Sequence, residues 1–353
     1  MAGGFHRKML PCQNMTRREE TILVTGGAGY IGSHAVKILL EEGFGVLVFD
    51  NLSRGYREVI DVLGKKYPHL KLAVGDLRER DAIDRVLAKN KITGVLHFAA
   101  LCLVNESMEK PDEYFENNVL GTLNLLRAMK KAQVEKLVFS STCAVYGENQ
   151  YLPVDEKHPT EPTNPYGESK LMAEKEITWF SRLFGLKSVI FRYFNVAGAS
   201  SDGLIGDSKK PSQLLVQNAV RGALKIEPFK LTCPKVATLD GTPIRDYVNV
   251  EDLARAHVLA LKYLNRAKPG CQVFNLGTGK GNSVLEIVNK VQEITGAKFP
   301  IQKGKARKGE YAKVYADIFK VKSKLDWEPK KSLEETVHSL VKWYKKHPYG
   351  WSY

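Results

Sequence analysis

The sequence predicts an α/β protein: a Rossmann-type, doubly wound parallel sheet joined to a smaller C-terminal α/β domain. Three observations carry this. Short β-rich runs alternate with apolar-periodic helical stretches through the first half. A glycine-rich turn stands where the first strand meets the first helix. The 353-residue chain, 43% hydrophobic and 26% charged, is long enough for two domains and apolar enough for a sizeable core.

The ordered chain opens "TILVTGGAGYIGSHAVKILLEEGFGVLVFDN". Thr21 to Thr25 reads as a strand, followed by glycines at 26, 27, 29 and 32 and a helix to about Glu42. A second strand, Val46 to Phe49, ends at Asp50. Gly26 permits the tight turn, Gly29 lets the backbone approach a pyrophosphate, and Gly32 lets the helix pack closely on the sheet. The helix N-terminus adds amide donors and a positive dipole end. Asp50 lies 21 residues after Gly29, where a carboxylate accepts from the adenosine ribose hydroxyls and repels a 2′-phosphate. The expected cofactor is therefore NAD, with Arg54 and Arg57 in the following loop.

Further strands are expected at 72–75, 95–99, 137–141 and 189–194, and helices at 79–90, 112–132 and 166–184. "GDLRERD" ends a strand with Asp76, placed to meet an adenine edge. "LHFAAL" ends another with small residues, which let a cofactor lie close to the backbone; tight helix–sheet packing explains Ala99 and Ala100 equally well.

The balance is basic, 53 Lys+Arg against 39 Asp+Glu, which suits a phosphate-bearing ligand or a solvated basic face. No zinc, KH or RRM signature supports nucleic acid. The cysteines at 12, 102, 143, 233 and 271 form no C-x-x-C pair, so no metal site or disulfide framework is indicated. A reducing cytoplasm fits. Residues 1–20 read as a disordered extension without the apolar core of a signal peptide, and no run of 18 apolar residues predicts a membrane span.

In "NPYGESK", Tyr166 and Lys170 are four apart on one helical face, behind Asn164 as cap and Pro165 in the first turn. A Tyr-x-x-x-Lys alone is common; its place after the glycine turn and "SST" gives it meaning. A free tyrosine has a pKa of about 10, so half-ionising it at pH 7 takes ~4 kcal/mol. A positive charge ~6 Å away at an effective dielectric of ~20 supplies roughly 2.8 kcal/mol. Lys170 and the positive nicotinamide together are expected to suffice.

From Thr21 onward the sequence resembles the extended short-chain dehydrogenase/reductase superfamily, and within it the UDP-glucose (UDP-galactose) 4-epimerases. The resemblance rests on "TGGAGYIGSH", "FDNLSRG", "GDLRE", "HFAA", "NES", "NNVLGTLNLL", "FSSTCAVYG", "PYGESK", "RYFNVAGA", "DGTPIRDYVNVEDLA" and "NLGTGKGNSV", in order. It implies catalysis by Tyr166 and Lys170 with Thr142, whose hydroxyl bonds the reacting sugar oxygen. It implies a cofactor site of Gly26, Gly29, Tyr30, Ile31, Gly32, Asp50, Asn51, Asp76, Leu77, Phe98, Ala99, Ala100, Asn117 and Ser140, with Phe194 beside the nicotinamide. Ser140 equally suits a role in satisfying loop amides.

On the substrate side the resemblance implies Asn195 and Arg245 on the diphosphate, with Arg307 and Glu310 on phosphate and ribose; Arg307 also reads as one more charge in a basic segment. The implied reaction is C4 oxidation of a UDP-sugar and hydride return to its other face. Dehydratase relatives carry acids just after the position of Thr142, whereas Cys143 and Ala144 stand here.

Asp240 in "LDGT" reads as a turn residue. "NLGTGKGNSV" (275–284) lacks phosphate-loop spacing and reads as a strand–turn–helix junction capped by Asn282 or Ser283.

Four departures from the pattern bear on the sugar. Cys102 replaces a lysine near the cofactor phosphates, and 201–218 lacks an Asn-Leu/His-Leu-Ile-Pro run. Thr232 replaces an aromatic on uracil, and Val314 replaces a tyrosine, opening the pocket toward N-acetylhexosamines or altering pentose-versus-hexose choice.

The expected division is 21–195 plus 245–276 for NAD and 196–244 plus 277–353 for the sugar nucleotide, with outward apolar helix faces suiting a homodimer. Rivals are epimerases of UDP-N-acetylhexosamines, UDP-pentoses or UDP-uronates, and a non-catalytic NAD-sensing or RNA-binding relative.

Overall fold

The computed structural model describes residues 20–209, 212–304 and 311–351. Apart from Glu20, the expected N-terminal extension lies outside them, as do Arg307 and Glu310.

The main sheet begins with β1 (Thr21–Thr25), β2 (Gly45–Asp50) and β3 (Lys71–Val74). It continues through β4 (Ile92–His97), β5 (Lys136–Thr142) and β6 (Lys187–Tyr193), and Gly270–Leu276 joins beyond β6. All pairings in it are parallel, in the order β3-β2-β1-β4-β5-β6-(270–276). The order reverses between β1 and β4, and the crevice at the carboxyl ends of those strands is where such sheets bind ligands.

Strand alternation sends side chains to two separate cores. Ile22, Val24, Val46, Val48 and Val138 pack on one face with α1 (Tyr30–Glu41) and the helix Val250–Leu264. Leu23, Leu47, Phe49, Leu137 and Phe139 face the helices Arg80–Lys89, Gly121–Lys131 and Pro165–Phe184. Both faces are covered, which is why these strands read as near-continuous apolar runs.

The helix expected over 112–132 is not uniform. Pro111–Phe115 passes through a wide π-type turn, Glu116–Leu120, into Gly121–Lys131. Such turns recur at functional sites. This one places Asn118 so that its amide oxygen accepts from Leu101 N (2.9 Å) while its amide group donates to Ser169 Oγ (2.9 Å).

The rest of the chain forms small sheets. Of the stretch expected to return to the main sheet, Gly270–Leu276 does so, whereas Tyr247–Asn249 pairs with Asn195–Ala197 and Ile244–Arg245 with Asn282–Ser283 and Lys313–Val314. No helix of the described residues is long and apolar enough to cross a membrane.

Candidate active site

A cleft of about 270 Å³ opens at the switch point between β1 and β4. The glycine turn builds one wall. Gly26 has a φ of +71°, and a Cβ on it would lie 2.5 Å from the Ala99 nitrogen, so the turn and the end of β4 are in backbone contact. A Cβ on Gly32 would lie 2.2 Å from the Gly26 oxygen. Gly32 thus brings the helix onto the turn itself, and Gly27, against Val48, fits the turn to the sheet.

Gly26, Gly29, Ile31 and Gly32 all line the cleft. Tyr30 lines it too, but its hydroxyl donates to the Gly198 oxygen (2.6 Å).

Asp50 ends β2 in the same cleft, buried, accepting from Ala28 N (3.0 Å) and Leu52 N (2.8 Å). Burial raises its pKa and the two N–H donors oppose the rise. Asp76 accepts from Arg78 and from Asn51 Nδ2 (2.9 Å), and the Arg78 guanidinium is the main reason its pKa falls to about 2. Leu77, Phe98, Ala99, Ala100, Asn117 and Ser140 complete this part of the lining.

The other end of the cleft is set by the helix Pro165–Phe184. Asn164 caps it, accepting from Gly167 N (2.9 Å), with Pro165 in the first turn as the sequence predicts. Tyr166 and Lys170 both line the cleft, and Thr142 ends β5 with its hydroxyl facing Tyr166.

Their electrostatics differ from the expectation. Burial pushes the Tyr166 phenol well above its usual value, with Thr142 opposing. Lys170, 2% exposed with its ammonium over the Phe139 ring (4.0 Å), is lowered by burial to about 7, with Glu174 opposing. The low-dielectric surroundings penalise both charged forms, a cost the Coulomb argument from sequence omitted.

Phe194 is not among the residues that line the cleft. It packs with Val145, Leu171 and Ala316, and the preceding residue, Tyr193, lines the cleft. Neighbouring residues of an extended chain face opposite ways, so a one-residue difference moves the ring to the core. The Tyr193 hydroxyl is buried and has no partner among the described residues. Lys209 also lines the cleft. Neither was found from sequence: Tyr193 lies one position from a residue that was singled out, and Lys209 comes from a segment with no motif.

Asn195 and Arg245 meet in a second cleft of about 100 Å³, with Thr232 and Tyr247 in its lining. Arg245 donates to the Ile244 and Tyr311 oxygens (2.9 Å each), which fixes its guanidinium. Asp240 is a turn residue, accepting from Thr242 N (2.8 Å) and from Ser283 Oγ.

The loop of "NLGTGKGNSV" wraps a carboxylate of the chain itself. Asp246 accepts from Thr278 N (2.7 Å), Thr278 Oγ1 (2.6 Å), Gly279 N (3.0 Å) and Ala316 N (3.2 Å). Ser283 caps the following helix in a capping box. No cluster of metal-binding side chains is present among the described residues.

The close backbone packing at Gly26 and Gly32 shapes a cleft at the carboxyl ends of β1 and β4, and the Tyr193 hydroxyl in its lining is a buried polar group. Fold and site therefore define a dinucleotide-dependent enzyme of the extended short-chain dehydrogenase/reductase class. Residues 22–277 match the NAD dependent epimerase/dehydratase family, and the chain belongs to that family.

It is 44% identical over 332 residues to the UDP-glucose 4-epimerase of Lactobacillus helveticus, covering 94% of this chain and 98% of that protein. The crystal structure of UDP-glucose 4-epimerase from Bifidobacterium longum in complex with NAD+ and UDP matches with a TM-score of 0.88 and 37% identity, over 94% of this chain and 100% of that one. UDP-glucose-4-epimerase from Stenotrophomonas maltophila, with bound NAD and formylated UDP-arabinopyranose, matches with a TM-score of 0.89 and 35% identity, over 93% and 99%.

Proposed function

We propose that the chain is an NAD-dependent 4-epimerase of UDP-sugars, with UDP-glucose and UDP-galactose as its principal pair. The observation that carries this is the uncharged turn after Thr142. Cys143 and Ala144 follow it, and burial holds the Cys143 thiol protonated, its pKa pushed up to about 11. Elimination chemistry has no carboxyl here to move its protons.

NAD+ supplies the reversible hydride acceptor for C4. Tyr166 takes the 4-hydroxyl proton on its phenolic oxygen and returns it after the sugar has presented its other face. Thr142 orients the same sugar oxygen through its hydroxyl. Burial opposes the phenolate, and the Lys170 ammonium, in the lining of the same cleft, is the charge assigned to stabilise it. Gly26, Gly29 and Gly32 admit the cofactor, Asp50 takes its adenosine ribose, and Asn195 and Arg245 hold the substrate diphosphate. In this reading 21–195 with 245–276 is the cofactor side and 196–244 with 277–353 the substrate side, with Asn195, Arg245 and Lys209 reaching across the division.

A pentose reading has its own support, since a related structure holds formylated UDP-arabinopyranose and the side chain at 314 is a valine. We also propose a homodimer built on the helix Pro165–Phe184 and its neighbour, where Leu120, Met172, Trp179 and Leu183 are exposed. Light scattering gives twice the chain mass if so. The free thiols of Cys102, Cys143 and Cys271 suit a reducing cytoplasm.

The test is incubation of the purified protein with UDP-glucose, UDP-xylose and UDP-N-acetylglucosamine without added cofactor. The expected result is equilibration of UDP-glucose with UDP-galactose, slowed 10²–10⁴-fold, on the order of an acid–base contribution, by Tyr166→Phe. Stoichiometric NADH with release of a keto sugar overturns the proposal.

A further inference from the structure

The segment 206–209 is anchored far from the glycine turn in sequence yet reaches into its cleft. Trp343 Nε1 donates to the Asp207 oxygen (3.1 Å) and the Tyr56 hydroxyl to the Ser208 oxygen (2.7 Å). A Cβ on Gly206 would lie 2.5 Å from the Trp343 ring, so the segment lies flat on that indole. Lys209 then extends across to Cys102, its Nζ 3.2 Å from Sγ. It lines the same cleft as Gly29, Tyr30 and Arg54.

A thiol is a weak acceptor, and it compensates poorly for taking an ammonium out of water. Arg54, another cation lining the cleft, is already engaged by Glu106 (2.5 Å). Lys209 feels the nearby Asp207 carboxylate but makes no ion pair among the described residues, so it is the less committed positive charge. It lies beside the N-terminal turn of α1, whose free amides favour a polyvalent anion.

The geometry points to Lys209 as a counter-cation for the diphosphate of the dinucleotide, supplied from the second half of the chain at a point where the local residue, Cys102, brings no ammonium. This deepens the NAD reading above and rests on it. It also gives the C-terminal Trp343 a remote hold on the cofactor, through Asp207 and the backbone that carries Lys209. Lys209 is a binding residue in this proposal and takes no part in the proton transfers at Tyr166.

The test uses the protein as purified. Cofactor content after gel filtration and the rate at which bound NAD exchanges with labelled NAD are measured for wild type, Lys209→Met, Lys209→Arg and the pair Lys209→Met with Cys102→Lys. Lys209→Met is expected to hold less NAD and to exchange it about tenfold or more faster, the scale of one charge-assisted hydrogen bond. Lys209→Arg stays near wild type.

The pair recovers retention, because the ammonium returns from the other side of the same contact. Circular dichroism melts accompany each variant, and Lys209→Gln replaces Lys209→Met in the comparison if the latter does not fold. Unchanged exchange in the charge-removing variant, or a pair as defective as the single change, overturns the assignment. A wild-type protein that holds no NAD at all instead overturns the cofactor reading beneath it.

Discussion

Gly167 lies under the carbonyl of Ala144, so close that a Cβ on it would fall 2.6 Å from that oxygen. The contact docks the start of the helix Pro165–Phe184 on the turn that follows Thr142, and so sets Tyr166 against Thr142. Gly167→Ala has better helix propensity yet must push the helix off this turn. The expected outcome is a fall in kcat of roughly tenfold or more, since small misplacements are costly, with KM for UDP-glucose little changed. Steady-state kinetics beside a urea melt separate this from simple destabilisation.

Lys170 gives a stability prediction with a sign. Its folded pKa is lowered from 10.5 to about 7, so between those values the unfolded chain binds the extra proton and stability rises with pH. Below pH 7 the buried charge is a standing cost. Lys170→Met should therefore raise the melting temperature at pH 6 while removing epimerase activity, and the gain should shrink toward pH 10. A lower melting temperature at pH 6 contradicts this.

His97 acts in the opposite range. Thr122 gives its hydroxyl proton to Asn118 O (2.6 Å), so it accepts from His97 Nε2, leaving Nδ1 to accept from Thr25 (2.7 Å). Both ring nitrogens are satisfied in the neutral form, and burial, with Lys170 nearby, lowers the pKa to about 3. Stability from this group is complete above pH 6.5 and lost as pH falls toward 3, by up to about 1.4 kcal/mol per pH unit. Urea melts at pH 7 and pH 5 should show a smaller acid loss for His97→Gln than for wild type.

The buried pair Arg192 and Glu174 (2.6 Å) also holds Ser141, whose hydroxyl donates to Glu174 (2.5 Å). Glu174→Ala strands the guanidinium and should cost about 3–5 kcal/mol in a urea titration. Replacing both partners by Met and Leu should cost far less. Loss of Glu174 also removes a charge that holds the Lys170 pKa up, so any residual activity profile should move to lower pH.

Asp246→Asn tests the loop at 277–281. An amide cannot accept with both its heavy atoms, so some of the four donors on Asp246 lose their partner. Arg245 is adjacent, and the expected result is a rise in KM for the UDP-sugar larger than any fall in kcat.

The sheet was legible because its strands are buried on two faces, and the helices because their apolar periods are regular. Asp50, Asp76 and the Tyr166–Lys170 pair were legible because each is fixed by local spacing after a recognisable strand. What escaped depends on long-range geometry. The wide turn at 116–120 follows from the demands of Asn118 on Leu101 and Ser169, which no periodicity records. Whether Tyr193 or Phe194 faces the cleft turns on where β6 ends. Lys209 reaches Cys102 across 107 positions of chain, and nothing in the junction "NLGTGKGNSV" records that its loop wraps the Asp246 carboxylate.

The seventh strand of the sheet has a consequence for biosynthesis. β6 ends at Tyr193, but its outer partner, Gly270–Leu276, is made roughly 80 residues later, several seconds of translation at about 5–20 residues per second. Throughout that interval the nascent chain presents an unpaired apolar edge, a template for pairing with neighbouring chains on a polysome. Truncations anywhere between 194 and 269 should accordingly aggregate rather than yield a soluble cofactor-binding fragment, and a chaperone that shields strand edges should raise the yield of the full chain.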